Sequence, residues 1–530
     1  MDLNFSFYDV MYPPSNLESI EIRNFKVLTS SGKIKIKPLT LLFGKNGVGK
    51  SSFISAINFW KDIINSSEGE KQKGSFALST FENISSFDQI INSQNGNEKI
   101  EFVLTFSNLK EKGSSANLMH EFYSLPPLIE FRTVFTRSKE LGKIKLFAWG
   151  ISDISNKMKF TTEINNENGY SNHSIKFGKL SKSIKETEVN KDIISLSKES
   201  KEEQKKFEKL VNIMLKSYEI VRNPFLETGI DSYKEDIGEL WNMNKYLKDE
   251  FMRAVIDYTG KYVEEENLFE EIINDEEVTY SLESYIFQNI FESVLWPYIE
   301  LVYDELKKIE FTNIGHIRNE IPRVFSLGDK NQSKHLTDLY KSLFRSLEIK
   351  DSWFEKDKPI EKLGKILREL KLADDIIISD SQGSYALYAK QGKSKINIAD
   401  ESSGFRQLFP ILLSLVVSKN LLIEQPELHL HPKLQADLMK VIAANRSKNK
   451  KIIIETHSEH ILRKLQILVA KNEIKKEDVA IYYFDKQNGK TKVKEIKLND
   501  NGFFAEPLPE GFFDESYNLT EELLLGSKQN

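Results

Sequence analysis

The 530-residue sequence contains no cysteine. Disulfide bonds, thiolate nucleophiles and zinc sites with cysteine ligands are therefore excluded. The lack of cysteine also suits a reducing compartment.

Long hydrophobic runs are missing as well. The run from Ile411 to Val417 is far shorter than the ~20 apolar residues that cross a bilayer. The N-terminal residues MDLNFSFYDVMYPPSNL lack the basic and then apolar order of a secretion signal. A net charge of −5 argues against a surface coated uniformly in nucleic-acid-binding charge, although local basic patches stay open. We expect a soluble cytoplasmic protein that does not contact a membrane.

The most specific pattern that is present lies at residues 39–53, which read LTLLFGKNGVGKSSF. A short apolar run breaks into a glycine-rich turn with the spacing G-x4-G-K-S, and the amphipathic sequence FISAINFWKDII follows. This is a P-loop in its strand–loop–helix setting, and it predicts binding of ATP with Mg²⁺. The predicted nucleotide-binding residues are Gly44, Lys45, Asn46, Gly47, Val48, Gly49, Lys50, Ser51 and Ser52.

Each residue type in the P-loop has a chemical reason. Glycine lets the backbone wrap a phosphate without a Cβ in the way. Successive N–H groups and the helix N-terminus present partial positive charge to the β-phosphate. Lys50 adds a charge toward the γ-phosphate, and the hydroxyl of Ser51 is a ligand for Mg²⁺. A chance glycine turn before a helix is the alternative, and the context argues against it.

Three further blocks follow late in the chain. Residues 401–408 read ESSGFRQL and lead into the apolar helix FPILLSLVV. Residues 420–427 read NLLIEQPE, an apolar strand that ends in polar residues. Residues 451–458 read KIIIETHS, a second buried strand with a similar end.

In their order and neighbours these blocks resemble the signature, Walker B and switch-histidine motifs of ABC-type ATPases of the RecF, structural-maintenance and OLD-like group. The segments IEQPELHLHPKLQADL, ETHSEHIL and GFFAEPLPEGFFDE look like bacterial ATPases with a DUF3696 C-terminus. The ATPase subunits of Septu-like antiphage defence systems look similar. The resemblance covers the two ends of the chain and leaves the middle uncovered.

The resemblance implies an α/β fold, an ABC-type P-loop ATPase head with a mixed sheet and flanking helices. We expect an N-terminal lobe with the P-loop at residues 1–135 and a C-terminal lobe with the other motifs and a DUF3696-like end at 310–530. Between them we expect a mainly helical insertion at residues 136–309, because from about residue 192 to 308 Lys and Glu are dense and apolar residues recur at intervals of three and four. A coiled-coil arm is the alternative.

The resemblance also implies residue roles. Glu424 would order Mg²⁺ together with Ser51, on a strand that we expect beside the P-loop. Ser403 and Gly404 would begin the signature helix and meet ATP held by a second copy, so a nucleotide-sandwich dimer or higher oligomer is expected. A plain helix N-cap is the alternative. His457 would be the switch histidine that senses the γ-phosphate, with a structural histidine as the alternative.

One departure from the family pattern concerns the general base. ABC-type heads carry Glu directly after the Walker B acid, but here Gln425 follows Glu424, and an amide cannot accept a proton. General-base help is worth roughly 10²–10⁴-fold. Either Glu427 takes that catalytic role, or hydrolysis is slow and ATP mainly locks a conformation. We predict slow turnover.

Two weaker patterns remain. Asp88 and Gln89 lie where ABC heads carry their Q-loop. Arg318 and Arg323 resemble a family arginine pair near the nucleotide, and surface salt bridges explain them almost as well.

Three classes of function fit these expectations. The first is an ATP-driven sensor or gate that controls a partner effector, a nuclease or toxin, in antiphage defence, because the chain shows an ATPase head and no effector chemistry. The second is a DNA-repair or chromosome-maintenance ATPase that clamps DNA directly, so DNA stays open as a partner. The third is a nucleotide-binding scaffold with negligible turnover. We favour the first.

Overall fold

A computed structural model describes residues 16–66, 75–77, 86–92, 98–107, 128–138, 143–153, 158–164, 171–177, 180–185, 306–316, 318, 321–326, 339–340, 343–344, 359–381, 384–447, 449–506 and 522. The chain divides into two compact units. The first comprises Met1–Asn16, Val103–Thr136 and Lys145–Lys308, and the second comprises Leu17–Phe102, Arg137–Ile144 and Ile309–Asn530. The P-loop and the three C-terminal motifs all belong to the second unit.

The longer helices of the described residues lie in the second unit. They are α1 (Lys50–Ile64), α2 (Pro359–Glu369), α3 (Ser403–Val417), α4 (Pro432–Ala444) and α5 (Glu459–Ala470). None of the helices described is long and apolar enough to span a bilayer.

The described strands occur in both units. They are β1 (Asn16–Phe25), β2 (Leu28–Ser30), β3 (Ile34–Lys35), β4 (Leu39–Gly44), β5 (Ser75–Ala77), β6 (Lys99–Ser107), β7 (Leu128–Arg137), β8 (Lys143–Asp153), β9 (Met158–Ile164), β10 (Ser171–Phe177), β11 (Leu180–Lys185), β12 (Phe311–Ile314), β13 (Phe325–Ser326), β14 (Asp375–Ser381), β15 (Ser384–Gln391), β16 (Ser394–Asn397), β17 (Asn420–Glu424), β18 (Ile452–Thr456), β19 (Val479–Gln487) and β20 (Lys490–Ile496).

In the first unit, β8, β9, β10 and β11 form an antiparallel ladder in chain order. These strands fall within the range assigned above to a mainly helical insertion. The segment where helix is predicted, from about residue 192 to 308, lies outside the described residues except for a helical turn at 306–308. The helical insertion and its boundaries therefore stay predictions.

The second unit is built on a six-stranded sheet with the order β12-β17-β18-β4-β19-β20. The first five strands are parallel and β20 is antiparallel to β19, so the sheet is mixed. Every residue of β4 and β18 is buried, as expected for parallel strands that are covered on both faces. A mixed sheet with flanking helices around a P-loop confirms the predicted α/β fold class.

Alternate residues of the central strands face opposite layers. Leu39, Leu41 and Phe43 of β4 join one apolar core with the buried residues of α3, α4 and α5. On the other face, Phe53 of α1 packs edge-on against Phe484 of β19, with 6.3 Å between ring centroids. The P-loop helix and the C-terminal helices therefore cover opposite faces of the sheet. The carboxyl ends of β4, β17 and β18 meet at one edge, which is where open α/β sheets bind ligands.

A smaller antiparallel sheet of β13, β15, β14 and β16 lies in the same unit. Its register places Tyr385 opposite both Phe325 and Asp380. The helix α2 packs against β14 and α3, which ties this sheet to the core beneath α3.

Candidate functional site

The P-loop connects β4 to α1 through backbone shapes that only glycine adopts easily. Gly44 and Gly49 have φ of +143° and +114°. A Cβ on Gly44 would stand 2.1 Å from the carbonyl oxygen of Phe484, and one on Gly49 would stand 2.7 Å from Leu28. Gly47 has φ of +72° but open space around it. Two glycines are thus required by close packing and the third by backbone conformation alone.

The side chain of Lys50 lies folded over the loop. Its Nζ donates to the carbonyl oxygens of Gly44 at 3.0 Å and Lys45 at 2.6 Å. Burial lowers the pKa of Lys50 to about 8, against the opposing influence of Glu455 and Glu427. The ammonium group is therefore already held at the loop that the sequence assigns to phosphate binding.

Ser51 contacts a carboxylate that the sequence analysis did not single out. Its hydroxyl lies 2.7 Å from Oε1 of Glu455, the residue that follows the apolar run of β18. Glu455 is only 2% exposed, and its Oε2 has no hydrogen-bond partner among the described residues. Burial raises the pKa of Glu455 above its usual range, and the nearby charge of Glu424 adds to this. The signal was in the sequence, because the apolar runs of β17 and β18 are each followed by a Glu.

The expectation that the strand ending in Glu424 lies beside the P-loop strand is wrong. β18 pairs with β4 on one side and with β17 on the other, so one full strand separates Glu424 from the P-loop strand. Chain order does not determine the order of parallel strands, since each crossover helix can carry the chain past a neighbour. Glu424 instead lies 3.1 Å from Nδ1 of His316.

Arg318 holds the end of β17 and the turn that follows it through hydrogen bonds to the backbone. This buried guanidinium donates to the carbonyl oxygens of Glu424 at 2.8 Å and Gln425 at 3.1 Å, and to Oε1 of Gln407 at 3.3 Å. Burial lowers the pKa of Arg318 to about 10, so the group stays charged at neutral pH. Arg318 therefore positions the strand end, whereas Arg323 is 72% exposed and pairs with Asp400. The two arginines do not act as a pair.

Gln425 and Glu427 are both committed to backbone contacts. Gln425 has a positive φ of 43°, and its N–H donates to the carbonyl oxygen of Glu455 at 2.7 Å. Glu427 accepts the hydroxyl of Thr456 at 2.9 Å and the N–H of His457 at 2.6 Å, one on each carboxylate oxygen. Burial raises the pKa of Glu427, and those hydrogen bonds oppose the rise. Glu427 therefore joins the end of β17 to the end of β18.

His457 stands beside the P-loop lysine. Burial, together with the charge of Lys50, lowers the pKa of His457 to about 4. The imidazole is therefore neutral at physiological pH and can donate one hydrogen bond and accept another. This suits a sensor of a phosphate oxygen, the role that the resemblance implies for it.

The predicted helix start at Ser403 and Gly404 is confirmed, since α3 begins at Ser403. Ser402 caps this helix by accepting the N–H of Phe405 at 3.3 Å. A Cβ on Gly404 would stand 3.1 Å from the carbonyl oxygen of His429, so the helix start lies close against the turn that follows β17. Ser402 and Ser403 are exposed on the surface of this unit.

The loop expected to act as a Q-loop forms a short 3-10 turn at Phe87–Gln89. Asp88 is held there by Arg137 at 2.5 Å, and the arginine also lies over the ring of Phe87. Lys26, in the turn between β1 and β2, contacts α1, because its Nζ donates to the hydroxyl of Ser55 at 2.7 Å. The charge of Glu424 acts on Lys26, which places this lysine near the carboxylates as well.

The oxygen donors at this edge fit Mg²⁺. They include the hydroxyl of Ser51, the carboxylate of Glu424 and the buried, unpartnered Oε2 of Glu455. Within the residues that the structure describes, no three His, Asp or Glu side chains are arranged to hold a metal unaided. Mg²⁺ keeps several waters and takes ligands from bound phosphates. When bound, the ion would neutralise charge on the phosphates.

Solved structures of SMC heads match the chain weakly. A head bound to the C-terminal winged-helix domain of ScpA is 12% identical, with 91% of this chain and 98% of that chain covered and a TM-score of 0.38. A Pyrococcus furiosus head with an extended coiled coil, bound to the C-terminal domain of ScpA, is 12% identical, with coverage of 96% and 99% and a TM-score of 0.35. The Thermotoga maritima head is 10% identical, with coverage of 91% and 100% and a TM-score of 0.36.

Family models match most of the sequence, although no curated protein matches it. Residues 474–523 match the family described as "Protein of unknown function (DUF3696)", which confirms the expected DUF3696-type end. Residues 39–463, from the P-loop strand into α5, match the family described as "AAA domain, putative AbiEii toxin, Type IV TA system". Because that match spans well over half of the sequence, the chain belongs to this family, and the matched region is a P-loop ATPase domain.

Proposed function

We propose that the chain binds ATP with Mg²⁺ at the P-loop, hydrolyses it slowly, and uses the nucleotide state to control a partner effector in antiphage defence. The observation that carries the first part is the convergence of Lys50, Ser51 and Glu455 at one sheet edge. A buried lysine, a hydroxyl and a buried carboxylate oxygen that has no partner among the described residues form a site that a magnesium-bound triphosphate would complete.

Slow hydrolysis is supported by the state of the two candidate bases. Gln425 carries an amide in place of the carboxylate that ABC-type heads use, and its backbone is held by Arg318 and by β18. Glu427 uses both carboxylate oxygens to hold Thr456 and His457. Gln425 has no carboxylate, and the carboxylate of Glu427 already accepts a hydrogen bond on each oxygen, which lowers its basicity, so we expect a reduced general-base contribution.

A nucleotide-sandwich dimer is the second element of the proposal. Ser403 is exposed at the N-terminus of α3, where hydroxyl and N–H groups can meet a phosphate from another copy. Size-exclusion chromatography with light scattering should show dimers with ATP and Mg²⁺ but not with ADP. Ser403→Arg should block this dimer, whereas Ser418→Arg, at the opposite end of α3, should not. An ATP-dependent dimer that forms equally in both variants would contradict this element.

Control of an effector is supported by two observations. The family description names a putative toxin of a type IV toxin–antitoxin system, a setting in which a toxic activity is kept under control. Glu427 links the β17 turn to the Thr456–His457 turn, so a shift of the switch histidine on γ-phosphate loss would reach the loop ahead of α4. A nuclease or toxin partner could read that movement.

Two experiments test the proposal. Phosphate release should be slow in wild type, well below one turnover per second, and absent in Lys50→Ala; equal release in both would contradict ATP hydrolysis at this site. Cells that express the chain with its neighbouring reading frames should resist phage, and resistance should be lost in Lys50→Ala. Failure to co-purify any partner from protected cells would contradict the control of an effector.

A further inference from the structure

Two carboxylates stand side by side at the edge of the central sheet. Glu424 and Glu455 are register partners in the parallel pair β17–β18. Register partners on adjacent parallel strands project to the same face of the sheet, so these side chains share the face covered by α1. Two negative charges on adjacent strands and on the same face repel each other strongly unless a cation or a proton lies between them.

The buried member of the pair is Glu455. It accepts a hydrogen bond from Ser51 on Oε1, while Oε2 is buried without any partner among the described residues. Leaving a buried, charged oxygen unpaired is costly, and native structures avoid it unless a water or an ion supplies the missing contact. The unpaired oxygen belongs to the carboxylate that already touches the P-loop serine.

The basic residues nearby are directed elsewhere. Nζ of Lys50 points to the carbonyl oxygens of Gly44 and Lys45, and Nζ of Lys26 bonds Ser55. Glu424 has His316 at 3.1 Å on one oxygen. In the described part of the chain, no ion pair reaches Glu455 within 4.0 Å. Glu455 therefore lies within the influence of Lys50 but has no direct ion pair among the described residues, and its Oε2 lacks a contact that a bound cation would supply.

We infer that Glu455, rather than Glu424 alone, is the principal carboxylate for the Mg²⁺ that accompanies ATP, acting with Ser51 and sharing the ion with Glu424. This inference rests on the proposed binding of ATP at the P-loop. Its chemistry is that of a hard divalent cation, which prefers one or two carboxylates together with hydroxyl, water and phosphate oxygens. The inference assigns the main acidic ligand to β18, the strand directly beside β4, and not to β17, the strand that carries the Walker B motif.

The test separates nucleotide binding from metal binding. The affinity of a fluorescent ATP analogue is measured by titration in EDTA and in Mg²⁺, for wild type, Glu455→Gln and Glu495→Gln. Glu495 is exposed on β20, so its substitution is the matched loss of one carboxylate away from the site. Manganese replaces magnesium in a parallel measurement, in which electron paramagnetic resonance gives the dissociation constant of Mn²⁺ from the nucleotide complex.

Glu455→Gln should cut the Mg²⁺-dependent gain in affinity by about 10-fold or more and weaken Mn²⁺ binding by a similar factor, as lost metal-orienting groups do. In EDTA the same variant should bind the analogue as tightly as wild type or tighter, because one negative charge near the triphosphate is gone. Glu495→Gln should match wild type in both conditions. The opposite signs are diagnostic, since a purely structural role would weaken binding in both.

A second variant covers the case in which Glu455→Gln unfolds. Glu455→Asp keeps the charge but withdraws it from Ser51, so it should bind normally in EDTA and lose part of the Mg²⁺ effect. Either variant with the full wild-type Mg²⁺ effect, or with equal losses in EDTA and Mg²⁺, would overturn the inference alone. Wild type that binds no nucleotide, or binds it as well after Lys50→Ala, would overturn the proposed function and the inference together.

Discussion

The carboxylate of Glu427 accepts the backbone N–H of His457, with 2.6 Å between Oε1 and N. Its other oxygen accepts the hydroxyl of Thr456. The residue that the sequence offers as a general base thus has a structural role, because both of its carboxylate oxygens join two strand ends.

Replacement of Glu427 tests whether this residue acts as a general base or as a structural link between strand ends. Glu427→Gln should lower the ATP turnover by less than tenfold, whereas loss of a general base would cost roughly 10²–10⁴-fold. Glu427→Ala should lower the free energy of unfolding by about 1–3 kcal/mol, because it leaves two buried donors unpaired. Steady-state phosphate release and urea unfolding measure the two effects. A hundredfold fall in turnover in a stably folded Glu427→Gln would restore the catalytic interpretation.

Gln425→Glu should raise the rate. The substitution restores the carboxylate that ABC-type heads carry at this position, and general-base help is worth roughly 10²–10⁴-fold when geometry is right. We expect at least a tenfold gain in turnover, measured by phosphate release, with no activity in the double variant that also carries Lys50→Ala. An unchanged or lower rate would show that the missing carboxylate does not limit hydrolysis.

The P-loop glycines should differ in how well they tolerate substitution by alanine. Gly44→Ala places a Cβ 2.1 Å from a backbone oxygen at a left-handed φ, so the loop or β19 must move. We expect a loss of more than about 3 kcal/mol in the free energy of unfolding, in the range of severe core disruption. Gly47→Ala meets open space and should cost only about 1–2 kcal/mol of backbone strain. Equal losses in urea unfolding would contradict the close approach at Gly44.

Arg318 and Arg323 should differ in how much they contribute to the free energy of unfolding. Arg318→Gln removes three hydrogen bonds from a buried site and should cost about 2–4 kcal/mol. Arg323→Gln breaks one exposed ion pair and should change the free energy of unfolding by less than about 1 kcal/mol. Denaturant unfolding of both variants measures the difference. A larger loss for Arg323→Gln would be inconsistent with the burial of Arg318.

Lys450 should make the free energy of unfolding depend on pH in the alkaline range. It donates to the carbonyl oxygen of Leu415, and burial lowers its pKa from 10.5 to about 8. Between these values the unfolded state binds more protons than the folded state, so this group adds stability as pH rises from 8 toward 10.5. The gain, on the order of 2 kcal/mol, should be absent in Lys450→Met. Thermal unfolding at pH 7.5 and 10 compares the two proteins, and parallel pH curves would contradict it.

Much of the local structure was predictable because it depends on neighbours in the chain. The apolar run before the P-loop forms β4. The helix α3 begins at Ser403, the last residue of the segment ESS, as predicted. The apolar strands expected within residues 420–427 and 451–458 are present as β17 and β18. Apolar periodicity, caps and glycine spacing decide such features locally.

What the sequence alone determined, therefore, is the P-loop, the α/β character and the presence of two apolar strands with Glu424 and Glu455 at or near their carboxyl ends. Only the tertiary structure decided which of these carboxylates touches Ser51, because the order of parallel strands depends on how the crossover helices pack. It also decided that Glu427 and Arg318 brace strand ends, since hydrogen bonds between residues far apart in the chain form only after the sheet has assembled.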